Sequence, residues 1–161
     1  MSVTSLDKDF DGLSLTLIAD FDAPAARVWE LWADPRRLER WWGPPTHPAT
    51  FEEHDLSPGG TVTYFMIGPE GEKYRGWWRI VAVDPPSSLG FTDGFADQEG
   101  APVPDMPVST VRMQLSARDG GTRMEPRSVF DSREQMEQLM EMGAAEGLRQ
   151  SVGQMDAVLT G

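Results

Sequence analysis

The chain has 161 residues and carries 14 Lys+Arg against 26 Asp+Glu, a formal net charge of −12. At 39% hydrophobic it can build a core of single-domain size, and with no Cys it excludes disulfides, thiolate metal sites and a Cys nucleophile. The acidic excess disfavours nucleic acid and anionic lipid, whose phosphates attract Lys and Arg. No run approaches the roughly 18 apolar residues of a membrane span, and the polar start MSVTSLDKDFDG lacks a signal-peptide pattern, so a cytoplasmic protein is expected.

Residues 1–11 show no periodicity and read as a flexible tail, leaving 12–160 as a single domain. Leu13, Leu15, Leu17, Ala19 and Phe21 alternate with polar residues, the pattern of a strand with one buried face. Pro24 then opens a helix through AARVWELWA, and Asp34-Pro35 ends it and starts a second short one through Leu38. Trp41-Trp42-Gly43-Pro44-Pro45 cannot remain helical and is expected to hold two rings in a rigid loop, packed or gating. Six strands follow, near 49–56, 60–67, 73–84, 87–95, 108–117 and 122–130. Gly59-Gly60, Pro69-Glu70-Gly71, Asp84-Pro85-Pro86 and Asp119-Gly120-Gly121 supply the turns of an antiparallel meander. Asp97–Pro107 reads as a long loop, and Pro126 requires an edge or a bulge. A long helix is expected over about 132–159, capped by Ser132 with Gln135 or by Asp131 with Glu134. Met136, Met140, Gly143, Gly147, Ser151 and Met155 share one of its stripes.

The order is satisfied by an α+β fold in which a curved antiparallel sheet wraps a long C-terminal helix, with two short helices after the first strand. The helix either fills the concavity or leaves a gap beneath it. Gly143 and Gly147 each cost about 1 kcal/mol inside a helix. Either a sheet ring such as Trp78 or Phe91 packs on their bare backbone, or they wall a cavity. Nine Met and six Trp supply adaptable apolar surface, including Met66, Met113, Met124, Met136, Met140, Met142 and Met155 on expected strands or helices. An apolar pocket of about a few hundred Å³ is consistent with this supply.

Chemistry is sparse. His47 lies in a loop, while His54 shares a strand face with Glu52, too few ligands for a metal site. There is no GxSxG elbow, P-loop or GxGxxG fingerprint. Arg75, Arg79, Arg112, Arg123 and Arg127 read as a solvent-facing set on strands. No catalytic residues, metal or cofactor are assigned.

FDAPAARVWELWADPRRLERWWGP resembles the opening of the Hsp90-ATPase-activator-homologue-like branch of the START/Bet v 1-like (SRPBCC) superfamily. HDLSPGGTVTYFMIGPEGEKYRGWWRIVAVDPPSSLGFT, GGTRMEPRSVF and MGAAEGLRQSVGQMDAVL resemble its later motifs in order, over about residues 12–160. The resemblance implies a helix-grip fold, usually with an internal cavity. Leu148 stands where the family commonly has Trp, and Pro126 interrupts a strand usually free of proline. The expected function is non-catalytic binding of a small apolar or amphipathic molecule between sheet and helix. Trp42, Tyr64, Met66, Trp78, Phe91, Met113, Met140, Gly143 and Gly147 are the expected lining, and Tyr64 offers a hydroxyl to a polar end. The alternatives are a co-chaperone-like module for an Hsp90-type chaperone and a polyketide-cyclase-like enzyme, which needs polar residues inside the cavity. The protein is expected to be a monomer or a homodimer.

Overall fold

A computed structural model describes residues 3–160. Eight strands form one antiparallel sheet in the order β1-β2-β8-β7-β6-β5-β4-β3. They are β1 (Val3–Asp9), β2 (Ser14–Phe21), β3 (Ala49–His54), β4 (Thr61–Ile67), β5 (Lys73–Asp84), β6 (Ser88–Ala96), β7 (Ser109–Arg118) and β8 (Gly121–Phe130). Helices α1 (Ala25–Ala33) and α2 (Pro35–Leu38) fill the long connection from β2 to β3, and α3 (Arg133–Glu141), α4 (Ala144–Gly153) and α5 (Met155–Thr160) close the chain. The curved sheet holding C-terminal helices is a helix-grip fold, and strands β2 to β8 lie within a residue or two of where the sequence placed them.

Three expectations need correction. Residues 3–9, read as part of a flexible tail, form β1, which pairs with β2 from Val3↔Ala19 to Asp9↔Ser14. Their side chains are mostly exposed, so an edge strand held by its backbone ladder leaves little hydrophobic periodicity to read. The single long helix is three consecutive ones. Gly143 has φ +87°, left-handed backbone that an α-helix cannot absorb, and it caps α4 instead of lying inside a helix. Pro126 is neither at an edge nor at a bulge. It pairs with Met113 inside the sheet, where the ladder between β2 and β8 lapses between Thr16↔Arg127 and Ala19↔Met124.

Period-two alternation places Val62 and Tyr64, Trp78 and Ile80, Leu89 and Phe91, Met113 and Leu115 on the concave face. At one end this face is packed solid by Val28, Leu31 and Trp32 of α1 with Met155, Val158 and Leu159 of α5. Arg27 adds a hydrogen bond to the Leu159 carbonyl. The Ser132 hydroxyl caps α3 by accepting from the Gln135 N–H at 3.1 Å.

Candidate functional site

At the other end of the concave face the break at Gly143 turns the C-terminal helices, and the sheet is left uncovered over a cavity of about 280 Å³. Its floor comes from Tyr64 and Met66 of β4, Gly76 of β5, Phe91, Asp93 and Phe95 of β6, and the inner residues of β7, β8 and β2 from Ser109 to Leu15. Leu139 of α3 and Ala144, Gly147, Leu148 and Ser151 of α4 roof it, while Trp32, Trp42, Gly43 and Pro44 close one side. Tyr74, 53% exposed, borders it on the side that meets solvent.

The loop carrying Trp42 is held from behind. The Gln154 side-chain amide donates to the carbonyls of Trp41 at 3.1 Å and Gly43 at 2.8 Å, and the Trp41 indole N–H donates to Leu31 O at 2.9 Å. Helix α2 grips the neighbouring β3 in turn. Glu39 accepts from the Phe51 N–H at 3.0 Å, and Arg36 donates to the Phe51 carbonyl at 2.8 Å. Trp42 therefore meets Trp78 at 5.0 Å and Tyr64 at 5.9 Å between ring centroids, in edge-on geometry. Trp78 stacks on Phe91 at 4.2 Å.

Inside this aromatic wall lies one polar group of consequence. Tyr64 and Gly76 are register partners, and a Cβ on Gly76 would stand 2.4 Å from the Tyr64 hydroxyl, so glycine there leaves room for the ring. That hydroxyl donates to Asp93 Oδ1 at 3.2 Å. Asp93 in turn is the cross-strand partner of Trp78 on one side and Ser109 on the other. Asp93 as a whole is half-buried and borders the cavity. Burial pushes its pKa up to about 7, opposed by the hydrogen bonds from Tyr64 and the Gly94 N–H. The Tyr64 phenol is pushed well above its ordinary value by burial first and by the Asp93 charge second. The indole N–H groups of Trp42 and Trp78 pull it back, although neither, nor that of Trp32, completes a hydrogen bond.

Of the residues expected to line the site, Trp42, Tyr64, Met66, Phe91 and Gly147 border the cavity. Trp78 lies behind Phe91 and Trp42 as fully buried core, and Met113 is equally buried among the solid packing. Met140 packs instead in the smaller cluster around Leu15, Phe130 and Met136. Gly143 is exposed on the helix break, and only Gly147 presents its bare backbone to the cavity. Asp93 went unread because one carboxylate among 26 carries no motif. Its signal was parity, since it occupies the apolar register of Leu89, Phe91 and Phe95. Leu148 and Pro126, the two departures from the family pattern, both border the cavity.

The histidines lie elsewhere. His54 is half-buried, not on a solvated face, with Nε2 3.0 Å from the Trp32 carbonyl, and His47 meets Thr46 and Tyr74. Among the described residues no cluster of three metal-capable side chains occurs, and no helix is long and apolar enough to cross a membrane.

The sequence pattern described as Activator of Hsp90 ATPase homolog 1-like protein matches residues 22–160. The structure is similar to a crystal structure of a Mycobacterium smegmatis protein, with 51% identity and a TM-score of 0.90 over 98% of this chain and 96% of that one. It is also similar to the solution structure of an Arthrobacter aurescens protein, with 50% identity and a TM-score of 0.94 over 98% and 92% of the two chains. A Staphylococcus epidermidis protein shares the fold at 20% identity, with a TM-score of 0.84 over 98% and 94%. Among curated proteins, none matches the chain closely enough to lend it a function.

Proposed function

Starting from the family of Activator of Hsp90 ATPase homolog 1-like proteins, to which this chain belongs, we propose that it binds a small apolar or amphipathic molecule between sheet and C-terminal helices. The observation that carries this reading is the cavity itself. A fold able to pack one end of its concave face solidly leaves about 280 Å³ at the other, walled by rings and aliphatic chains with one Tyr–Asp pair among them. At interior packing density that space suits an occupant of roughly a dozen non-hydrogen atoms. The lining residues that act in binding are Trp42, Tyr64, Met66, Phe91 and Gly147, joined by Asp93.

Native mass spectrometry of freshly purified protein tests the proposal. A reproducible extra mass that leaves on denaturation is the expected result. A bare protein mass, together with no rise in melting temperature across apolar and amphipathic compounds, overturns it.

A second reading, a co-chaperone-like module, rests on the family's description alone. Its test is the ATPase rate of a purified Hsp90-type chaperone with and without this protein, and an unchanged rate disposes of it. Catalysis has gained one requirement, since Tyr64 and Asp93 do face the cavity. Among the described residues the other titratable side chains bordering it are Tyr74, 53% exposed at the solvent side, and Arg75, paired with Glu52. The enclosed part of the cavity therefore holds the Tyr64–Asp93 pair, which favours recognition over acid–base chemistry.

A further inference from the structure

We infer that the cavity selects ligands by head group: its occupant presents a hydrogen-bond donor, a hydroxyl or a protonated amine, to Asp93, and a carboxylate head is rejected. The inference rests on the ligand-binding reading above and names the class of molecule that the site would take.

Charge and unused acceptor capacity at Asp93 both favour a donor head. Among the described residues Asp93 is the single acid bordering the cavity, and its hydrogen bonds come from Tyr64 and from backbone. Among the described residues the single cation bordering the cavity is Arg75, and its guanidinium is paired on the convex face through one terminal nitrogen, with Nε buried and unpartnered. There it donates to Glu52 Oε1 at 2.9 Å and lies over the Phe65 ring at 5.2 Å. No positive charge is therefore free to receive an anionic head. A carboxylate placed beside the ionised Asp93 would bring two negative charges together in a poorly solvated space, so the pair must take up a proton before a carboxylate head can bind.

A donor head meets the opposite situation. A carboxyl has more acceptor capacity than the one Tyr64 hydroxyl and one backbone N–H use, and Asp93 borders the cavity. A hydroxyl satisfies it as a neutral donor. An ammonium adds charge, and the faces of Trp42, Tyr64 and Phe91 around the same space suit a cation. Burial holds the Asp93 pKa near 7, so the carboxyl can meet a neutral alcohol in its protonated form or an ammonium as the anion. Selection here is largely exclusion, a penalty on the wrong head more than a gain from the right one.

Four probes sharing one apolar body decide the matter: 4-butylphenol, 4-butylbenzylamine, 4-butylbenzoate and headless butylbenzene. Each is titrated by calorimetry near neutral pH against the full chain and the Asp93→Asn variant, with amide NMR shifts at Phe91 and Gly147 locating the bound molecule. The phenol and the amine are expected to bind about tenfold or more tightly than the benzoate. In Asp93→Asn the benzoate should gain and the amine should lose by similar factors. If that variant does not fold, Tyr64→Phe substitutes for it, and the benzoate should remain the weakest probe there. Benzoate binding as tight as that of phenol and amine overturns the head-group inference while leaving the cavity reading intact. Failure of all four probes, butylbenzene included, overturns both.

Discussion

A single buried carboxyl sets the most specific expectation at the scale of one residue. Asp93 has a folded-state pKa of about 7 against an ordinary value near 4, so between those values the folded protein holds a proton that the unfolded chain has released. Stability is then lost as pH rises through that window, and the loss is complete above about pH 7. Asp93→Asn keeps an acceptor for Tyr64 but cannot ionise. Thermal melts should show it matching the wild type near pH 4, gaining steadily toward neutrality and holding a constant advantage of roughly 2–4 kcal/mol beyond. A flat difference across the series would mean that Asp93 titrates normally. Tyr64→Phe removes a donor that favours the ionised form of Asp93, so by the same melts it should cost about 1 kcal/mol at neutral pH and less near pH 4.

At the scale of elements, the C-terminal segment is a cover of three helices, and its break at Gly143 is chemically specified. The left-handed backbone at Gly143 predicts that Gly143→Ala destabilises by about 1 kcal/mol in chemical denaturation, through strain and not through lost contacts. Gly147 has right-handed helical surroundings, and an added Cβ there meets nothing within 4 Å. Gly147→Leu should therefore fold with an unchanged or higher melting temperature yet lose probe binding, because its side chain occupies the cavity. Gln154 ties the segment to the Trp41–Gly43 loop by two hydrogen bonds, so Gln154→Leu strands two carbonyls. A loss of about 1–3 kcal/mol is expected, with faster hydrogen exchange at Trp42 as the local signature. The strands were legible as elements because alternation and Gly/Pro turns are local. The helix breaks were not, since a glycine at 143 reads equally well as a helix interior facing a ring or as a left-handed cap.

At the scale of the whole molecule, one concave surface is divided into a solid end and a hollow end. Helices α1 and α5 bring Trp32, Met155 and Val158 onto the sheet at one end, while α3 and α4 roof the other without filling it. Much of this was readable beforehand. The element order demanded a sheet gripping a C-terminal helix, and alternation along single strands put Tyr64, Met66 and Phe91 on the inner face. Local sequence determined the alternation along β2 to β8, the turns, the first two helices and the aromatic supply, because each depends on residues a few positions apart. Only the tertiary structure decided which inner-facing residues meet space and which meet packing. It left Met113 and Trp78 in the core, moved Gly143 to the surface and brought Asp93 of β6 against Tyr64 of β4 across the intervening Gly76 strand. A cavity is the volume left between distant segments after each has packed, so no single stretch of chain encodes it.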